Sequence, residues 1–413
     1  MNLNTGVARF SHLDILWASL REDGMIIKHT KIGVVAALGA VLCAGSALAG
    51  GFSRGDANTD ILFEPGTANI DAGFIYVSPQ RSYDTISGAK GTDGKFSDDF
   101  WIPNVAVAAR PTDMFGCALT YTQSFGAAST YGTQAQNAEK INAVLAGGLA
   151  AANYTISKGF TSNEYGATCD AKFDAGQGKF HVLGGIFLED FSYTAKAMTG
   201  TLTLKDNGSV GYRIGAAYEI PEYALRASLM YRSEVKHNAS GNFDFSAIAM
   251  ANNGGIARAA SSGYGTLPQS VKLYVQSGIA PDWLVYGSVE WTNWSVLQTL
   301  NYNVGTTAQR DKFYWKDGWT IQGGVGHKFN DTVSGTLNIT WDQGVGTGAD
   351  IQTDTWTFGA GALINAGPGV LKLGAGVSYL TAGSQSTAKG ANYNATSPGS
   401  WAYALGASYN IKF

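Results

Sequence analysis

From Ile70 to Phe413 the chain repeats one pattern: ten or more residues of alternating apolar and polar character, then a few turn residues. Period two identifies strands with one oily and one wet face. The last segment shows it plainly. Trp401, Tyr403, Leu405, Ala407, Tyr409, Ile411 and Phe413 fall on one side, and Ala402, Ala404, Gly406, Ser408, Asn410 and Lys412 on the other. A tilted membrane strand needs only about 9–11 residues, so this segment is long enough to cross a bilayer. Its aromatics near both ends suit the two lipid–water interfaces. Taken alone it would also serve as the last strand of a soluble sandwich.

The repetition excludes that alternative. Strands are expected at Ile70–Tyr83, Phe100–Arg110, Met114–Phe125, Ser162–Phe173, Lys179–Leu202, Ser209–Ile220 and Ala224–His237, then at Leu267–Ile279, Trp283–Asn303, Phe313–Phe329, Thr332–Gly344, Thr353–Asn365, Gly369–Thr381 and Trp401–Phe413. Short turns such as Pro111–Asp113, Pro221–Tyr223 and Ala366–Pro368 alternate with longer loops at Asp84–Asp99, Gly126–Thr161, Asn238–Thr266, Val304–Lys312 and Ala382–Pro398. Short periplasmic turns and long external loops are the topology of outer-membrane barrels. The fold expected is all-β: a closed antiparallel transmembrane barrel of about fourteen strands over residues 70–413, in the bacterial outer membrane. A terminal Phe behind alternating apolar residues resembles the signal read by the barrel-assembly machinery, an expected partner alongside outer-membrane lipid. A monomer is expected.

Composition agrees. Charged residues are 14%, net charge is only -3, and there are 54 Gly and 12% aromatics. Soluble chains carry about 25% charge. No basic balance points to nucleic acid. Lys28 and Lys31, the apolar run Ile32–Gly45 and Ser46-Ala47-Leu48-Ala49 read as a secretory signal over residues 25–49. Residues 1–24 read as an upstream extension or a start artefact. Cys43 lacks the small preceding residue of a lipoprotein site. Cys117 and Cys169 fall outward on neighbouring strands, and a cross-strand bridge or two free thiols fit equally.

Charges cost roughly 2–4 kcal/mol for Arg or Lys at the lipid midplane, so charged faces must look inward. In the seventh strand Arg226, Ser228, Arg232, Glu234 and Lys236 are therefore assigned to the lumen. Fourteen strands enclose a lumen wide enough to leak unless something fills it. The segment available is residues 50–69, which contains Asp56, Asp60, Glu64, Pro65 and Gly66.

That segment resembles the N-terminal hatch of the FadL/TodX-type outer-membrane transporters of long-chain fatty acids and hydrophobic compounds. The resemblance continues in order through Tyr76-Val77-Ser78-Pro79, Trp101-Ile102-Pro103-Asn104, Leu267-Pro268-Gln269-Ser270, Glu290-Trp291-Thr292-Asn293-Trp294-Ser295, Trp315-Lys316-Asp317-Gly318-Trp319 and Asp342. Glu64-Pro65-Gly66 stands where the family usually has Asn-Pro-Ala, and the hatch is shorter than usual. The resemblance implies that a hydrophobic ligand is caught by external loops, passes to a lumenal pocket and leaves sideways through the wall. It places the exit at a kink in the third strand, here Ser124, Phe125 and Gly126.

Residues suited to these steps can be named. Ile141, Val144, Leu145 and Leu149 recur at helical spacing in an external loop, as a landing surface or a packed lid. Phe187, Phe191, Tyr274 and Trp294 face inward for an apolar tail, with Arg213, Arg226, Arg232 and Lys272 for a carboxylate. Glu164, Asp170, Glu189, Glu219, Glu234 and Glu290 also face inward, so most of these charges are expected to pair across strands. A general porin is the rival, and a hydrolase a remote one. Alternation points His237 and His327 outward and leaves His181 alone in the lumen, too little for a catalytic constellation. No cofactor, metal or nucleotide site is visible.

Overall fold

The computed structural model describes residues 51–413, so the expected signal and extension lie outside the described residues. Fourteen antiparallel strands close into a barrel. They are β1 Ala68–Pro79, β2 Phe100–Thr112, β3 Phe115–Thr130, β4 Thr155–Ala175, β5 Gly178–Ala197 and β6 Gly200–Ile220. Four interrupted strands follow: β7 (Leu225–Arg232, then Val235–Phe245), β8 (Arg258–Leu267, then Ser270–Ala280), β9 (Trp283–Thr292, then Thr299–Val304) and β10 (Thr307–Lys312, then Gly318–Lys328). β11 Val333–Asp342, β12 Thr355–Ala366, β13 Gly369–Leu380 and β14 Ser400–Lys412 complete the wall. β14 pairs with β1 from Asn69–Lys412 to Pro79–Ala402, which closes the sheet. Closure leaves no edge for lipid to contact with unpaired N–H and C=O groups. Outward positions such as Leu119, Tyr165, Ile186, Val210, Leu337 and Leu405 are exposed, as a lipid-facing wall requires.

The interruptions share one level and correct several expectations. β3 slips register between Gln123 and Phe125, β5 against β6 between Glu189 and Phe191. β7 breaks at Ser233–Glu234, and β8 breaks at Pro268, which has no N–H to donate. In β9 the break is held by Asp317, which accepts from Ser295 N at 3.1 Å and Asn293 Nδ2 at 2.9 Å. Above this belt the strands run on, so Asn238–Thr266 and Val304–Lys312 are mostly hairpin rather than loop. β4 likewise starts at Thr155, inside the expected loop. The fifth strand ends at Ala197, not Leu202, because Met198-Thr199 turns the chain; Leu202 lies in β6.

The break in β7 also inverts side-chain parity. Arg226 and Arg232 point inward as expected, but beyond the break Val235, His237 and Ala239 are buried while Lys236 is exposed and Glu234 half-buried. The assignments of Glu234 and Lys236 to the lumen and of His237 to the outside are therefore reversed. Cys117 and Cys169 stand opposite each other in the β3–β4 ladder and are bridged.

Inside the lower barrel ionic pairs span the lumen. Lys372 Nζ lies 2.8 Å from Asp71 Oδ2, both buried. Removing one member leaves a buried charge unpaired, which costs about 3–5 kcal/mol. Lys372→Met should lower stability by that amount in urea titrations of the vesicle-inserted barrel, and adding Asp71→Asn should recover most of the loss. Equal stability of Lys372→Met and wild type would refute this assignment.

Candidate functional site

Residues 51–67 run through the lumen and divide it. From the periplasmic side, Thr67 N donates to Phe413 O at 2.9 Å, and Gly66 takes the φ of +114° that lets the chain turn there. Pro65 O accepts from Asn69 Nδ2 at 3.3 Å. Glu64 pairs with Lys412 at 2.6 Å, Asp60 with Arg226 at 3.3 Å and Asp56 with Lys272 at 2.5 Å. The ammonium of Lys272 holds the Asp56 carboxyl below its usual range. Ile61 and Leu62 are buried against Ala106, Ala118, Leu183 and Ala217, sealing the lower lumen with oil. Arg110 ties Leu62 O at 2.8 Å and Asp170 at 2.7 Å, and Asp170 in turn meets His181 Nδ1 at 2.9 Å beneath the Phe63 ring. His181 is thus a lumenal residue serving hatch packing.

Farther up, the hatch becomes part of the wall. The β2–β3 ladder stops at Asn104–Thr122 and resumes only where Asp98 N reaches Ala128 O at 3.0 Å. Between these levels the wall has a window, rimmed on β3 by Gln123, Ser124, Phe125 and Gly126. Residues 52–55 pair with that bare edge: Gly126 N to Phe52 O at 2.9 Å, Arg54 N to Ser124 O at 2.9 Å and Gly55 N to Gln123 O at 3.0 Å. Arg54 reaches across it, Nε donating to Gly126 O at 2.9 Å and the guanidinium lying 3.8 Å over the Phe100 ring of β2. A Cβ at Gly126 would come within 2.8 Å of Arg54 Nε, so only glycine admits this contact.

Phe52 forms the partition between two cavities. Its ring packs edge-on against Phe160 at 4.9 Å, Phe313 at 5.7 Å and Trp315 at 4.5 Å between centroids. The upper cavity, about 290 Å3, is walled by Phe52, Phe160, Phe191, Leu204, Leu300 and Phe313 and by the charged Glu139, Lys158, Arg310, Asp311, Lys312 and Asp350. The lower, about 360 Å3, is lined by polar and charged groups including Arg54, Asp56, Arg232, Lys272, Glu290 and Asp342, with Trp294 and Phe125 at its top.

At the rim of the upper cavity Lys158 stands among Tyr131, Glu139, Asp311 and Asp350. The carboxylates are already engaged: Glu139 by Thr155 N at 2.9 Å and Asn392 at 2.8 Å, Asp311 by Tyr193 Oη at 2.6 Å, and Asp350 by Trp315 Nε1 at 2.9 Å. No hydrogen bond or ion pair to Lys158 Nζ occurs among the described residues.

Of the residues singled out in sequence, Phe191 lines the upper cavity, and Arg232, Lys272, Tyr274, Trp294 and Arg213 the lower. Phe187 lines neither; Arg213 and Arg232 cover its ring at 5.1 and 4.5 Å. Arg213 is bound to Glu164, Arg232 to Glu164 at 2.9 Å and Glu189 at 2.8 Å, and Arg226 stacks on Phe63 at 4.6 Å. The expected cross-strand pairs therefore neutralise these cations. Outside, helix α1 (Thr133–Gly147) buries Ala135 and Ala138 and exposes Ile141 and Leu145, with Val144 half-buried and Leu149 exposed just beyond. That loop presents oil to solvent rather than packing it into a lid. Sequence reading missed Phe52, Arg54 and Lys158. The alternation Lys158, Phe160, Ser162, Glu164 was the signal available for the last.

A closed barrel, an internal plug and an apolar chamber open to the outside define an outer-membrane protein for apolar solutes rather than a general porin. Residues 38–413 match the outer membrane protein transport protein family (OMPP1/FadL/TodX), and the chain belongs to it. The long-chain fatty acid transport protein of Salmonella typhi is 26% identical over 327 residues, 71% of this chain and 72% of that one. Its Escherichia coli K12 counterpart is 25% identical over 334 residues, with the same coverage. A Pseudomonas aeruginosa FadL homologue superposes at TM-score 0.68 with 14% identity, covering 89% of this chain and 96% of the other. The Pseudomonas putida toluene transporter TodX superposes at 0.57 with 12% identity, covering 86% and 92%. This is a bacterial outer-membrane protein.

Burial raises the Asp350 carboxyl to about 6 from an ordinary 3.8. A carboxyl raised in the folded state favours packing at low pH, and that contribution is lost as pH rises through about 6. Trp315 fluorescence should titrate near that pH, and Asp350→Asn should flatten the curve. An unchanged titration in the variant would exclude Asp350 as its source.

Proposed function

We propose that the protein takes up long-chain fatty acids or similar hydrophobic molecules from outside the cell, binding them in the upper cavity and releasing them sideways through the β2–β3 window. The observation that carries this reading is the position of Phe52. Its ring packs into the aromatic floor of the upper chamber, while the hatch segment that bears it also fills the window. Moving that segment opens chamber and wall together.

Capture begins at α1, where Ile141, Leu145 and Leu149 offer apolar area to solvent, worth about 25 cal/mol per Å2 when covered. The tail then lies against Phe160, Phe191, Leu204 and Leu300, with Lys158 as the cation for a carboxylate. Straight passage downward is unfavourable for an apolar tail. The lower cavity is charged, and Ile61 and Leu62 close the lumen beneath it under the Glu64–Lys412 and Asp60–Arg226 ties. Lipid beyond the window is the apolar sink that remains. The relatives that are long-chain fatty acid transport proteins and the structural neighbour that is a toluene transporter agree with this reading.

Cells lacking the gene should take up labelled oleate faster when it is restored, and no gain for oleate or any hydrocarbon would end the transport reading. With purified protein, Lys158→Met should weaken oleate binding about tenfold or more, since a charge-assisted hydrogen bond contributes about 1.5–3 kcal/mol. Methyl oleate, with the same tail and no charge, should bind the variant as it binds wild type. Equal losses for both ligands would mean that Lys158 shapes the chamber without reading the head group.

A further inference from the structure

Most cations of the lower lumen stand in ion pairs. Arg110 has Asp170, Arg213 has Glu164, Arg226 has Asp60, Arg232 has Glu164 and Glu189, Lys272 has Asp56 and Glu290, Lys372 has Asp71, and Lys412 has Glu64. Arg54 lines the same lower cavity and is buried, yet among the described residues no carboxylate lies within ion-pair distance of it. Its partners are all neutral: Gly126 O, Gln123 Oε1 at 2.5 Å and the face of Phe100. A desolvated guanidinium without a counter-charge is costly. A fork of five donors of which Nη2 has no acceptor here is suited to a carboxylate.

Its place gives the cost a purpose. Arg54 stands two residues from Phe52, on the strip that fills the window. The strip is held to β3 by three backbone hydrogen bonds and by the guanidinium itself. We propose that Arg54 is a second, exit-side binding site for the carboxylate of a long-chain monocarboxylic acid, and that its capture by the ligand releases the hatch strip from the β3 edge. This rests on the uptake function proposed above. Lys158, one of the cations lining the upper chamber, and Arg54, lining the lower, then stand on opposite sides of Phe52. A carboxylate leaving Lys158 competes with Gly126 O and Gln123 for the guanidinium. Once Arg54 turns to the ligand, the side-chain ties across the window are lost, and Phe52 can leave its aromatic nest with the strip it belongs to. A neutral molecule offers nothing to Arg54 and has no such means of releasing the strip. The inference therefore makes ionised acids the ligands that open the wall.

The test compares oleate and methyl oleate in cells carrying wild type, Arg54→Gln or Arg54→Lys, with barrel folding checked by heat-modifiable gel mobility. Gln keeps donors for Gly126 O but not the charge. Arg54→Gln should lower oleate uptake about tenfold or more. Methyl oleate uptake should not fall, and Arg54→Lys should restore part of the oleate rate. Oleate uptake by Arg54→Gln at the wild-type rate overturns the inference, as do equal losses for acid and ester, which would make Arg54 a structural latch. Wild-type cells that take up neither ligand refute the transport function, and this site with it.

Discussion

Three backbone hydrogen bonds between residues 52–55 and the edge of β3 hold the wall and the plug in one state. Within a membrane every N–H and C=O needs a partner, because lipid supplies none. Where β2 leaves β3 unpaired, the hatch provides the partners that the neighbouring strand does not. The window is thus closed by a segment that is not itself a wall strand and that continues into β1 at Ala68. A window filled by a full wall strand would be permanent; one patched by a strip of hatch is reversible at modest energy.

The level of that patch is set elsewhere. Ser124, Glu189, Arg232 and His237 meet at the belt where the strands slip or break. Ser124 Oγ donates to Glu189 at 2.6 Å, Arg232 to the same carboxylate at 2.8 Å, and His237 Nδ1 lies 2.8 Å from Asp206. Extra residues in a ladder bend the strand and re-aim side chains. Here they turn Phe191, His237, Trp294 and Trp315 into a partition, so the aromatic constriction and the wall window lie at one height. Both depend on the same polar cluster, since Glu189 anchors the bulge at Ser124 and the guanidinium of Arg232, which lies 5.1 Å over the Phe125 ring.

Much of this was legible because alternation is unforgiving in a barrel. Strand number, closure of Ile70 and its neighbours against Trp401–Phe413, turn placement and the inward set Arg213, Arg226, Arg232 and Lys272 all follow from period two and the cost of charge in lipid. What failed did so where period two fails. Ser233–Glu234 shifts parity, so everything beyond Arg232 in that strand was assigned to the wrong face, His237 included. The upper strand extensions carry Gly, Ser and Asn, a composition shared with loops. Lys158 was lost for that reason, although it lies on the same face as Phe160 and Glu164. Phe52 and Arg54 precede the first strand, where no period exists, and their roles arise only from contacts with Gly126, Phe100 and Trp315.

The division of labour among cations follows from the same geometry. A carboxylate-bearing ligand meets many lumenal cations, and an unpaired one would hold it at each step. Pairing Arg213 and Arg232 with Glu164 and Glu189 makes them part of the wall. Among the described residues Arg54 is left without a carboxylate below Phe52, and Lys158, Arg310 and Lys312 line the cavity above it. Two sites that differ in depth and in what their occupation disturbs give the ligand a stepwise path, and its concentration gradient sets the direction of net movement. The upper site is reached from outside and disturbs little, whereas the lower is bound through the element that closes the wall. Release into lipid then lets the strip return to β3, because the edge it leaves has no other hydrogen-bond partner.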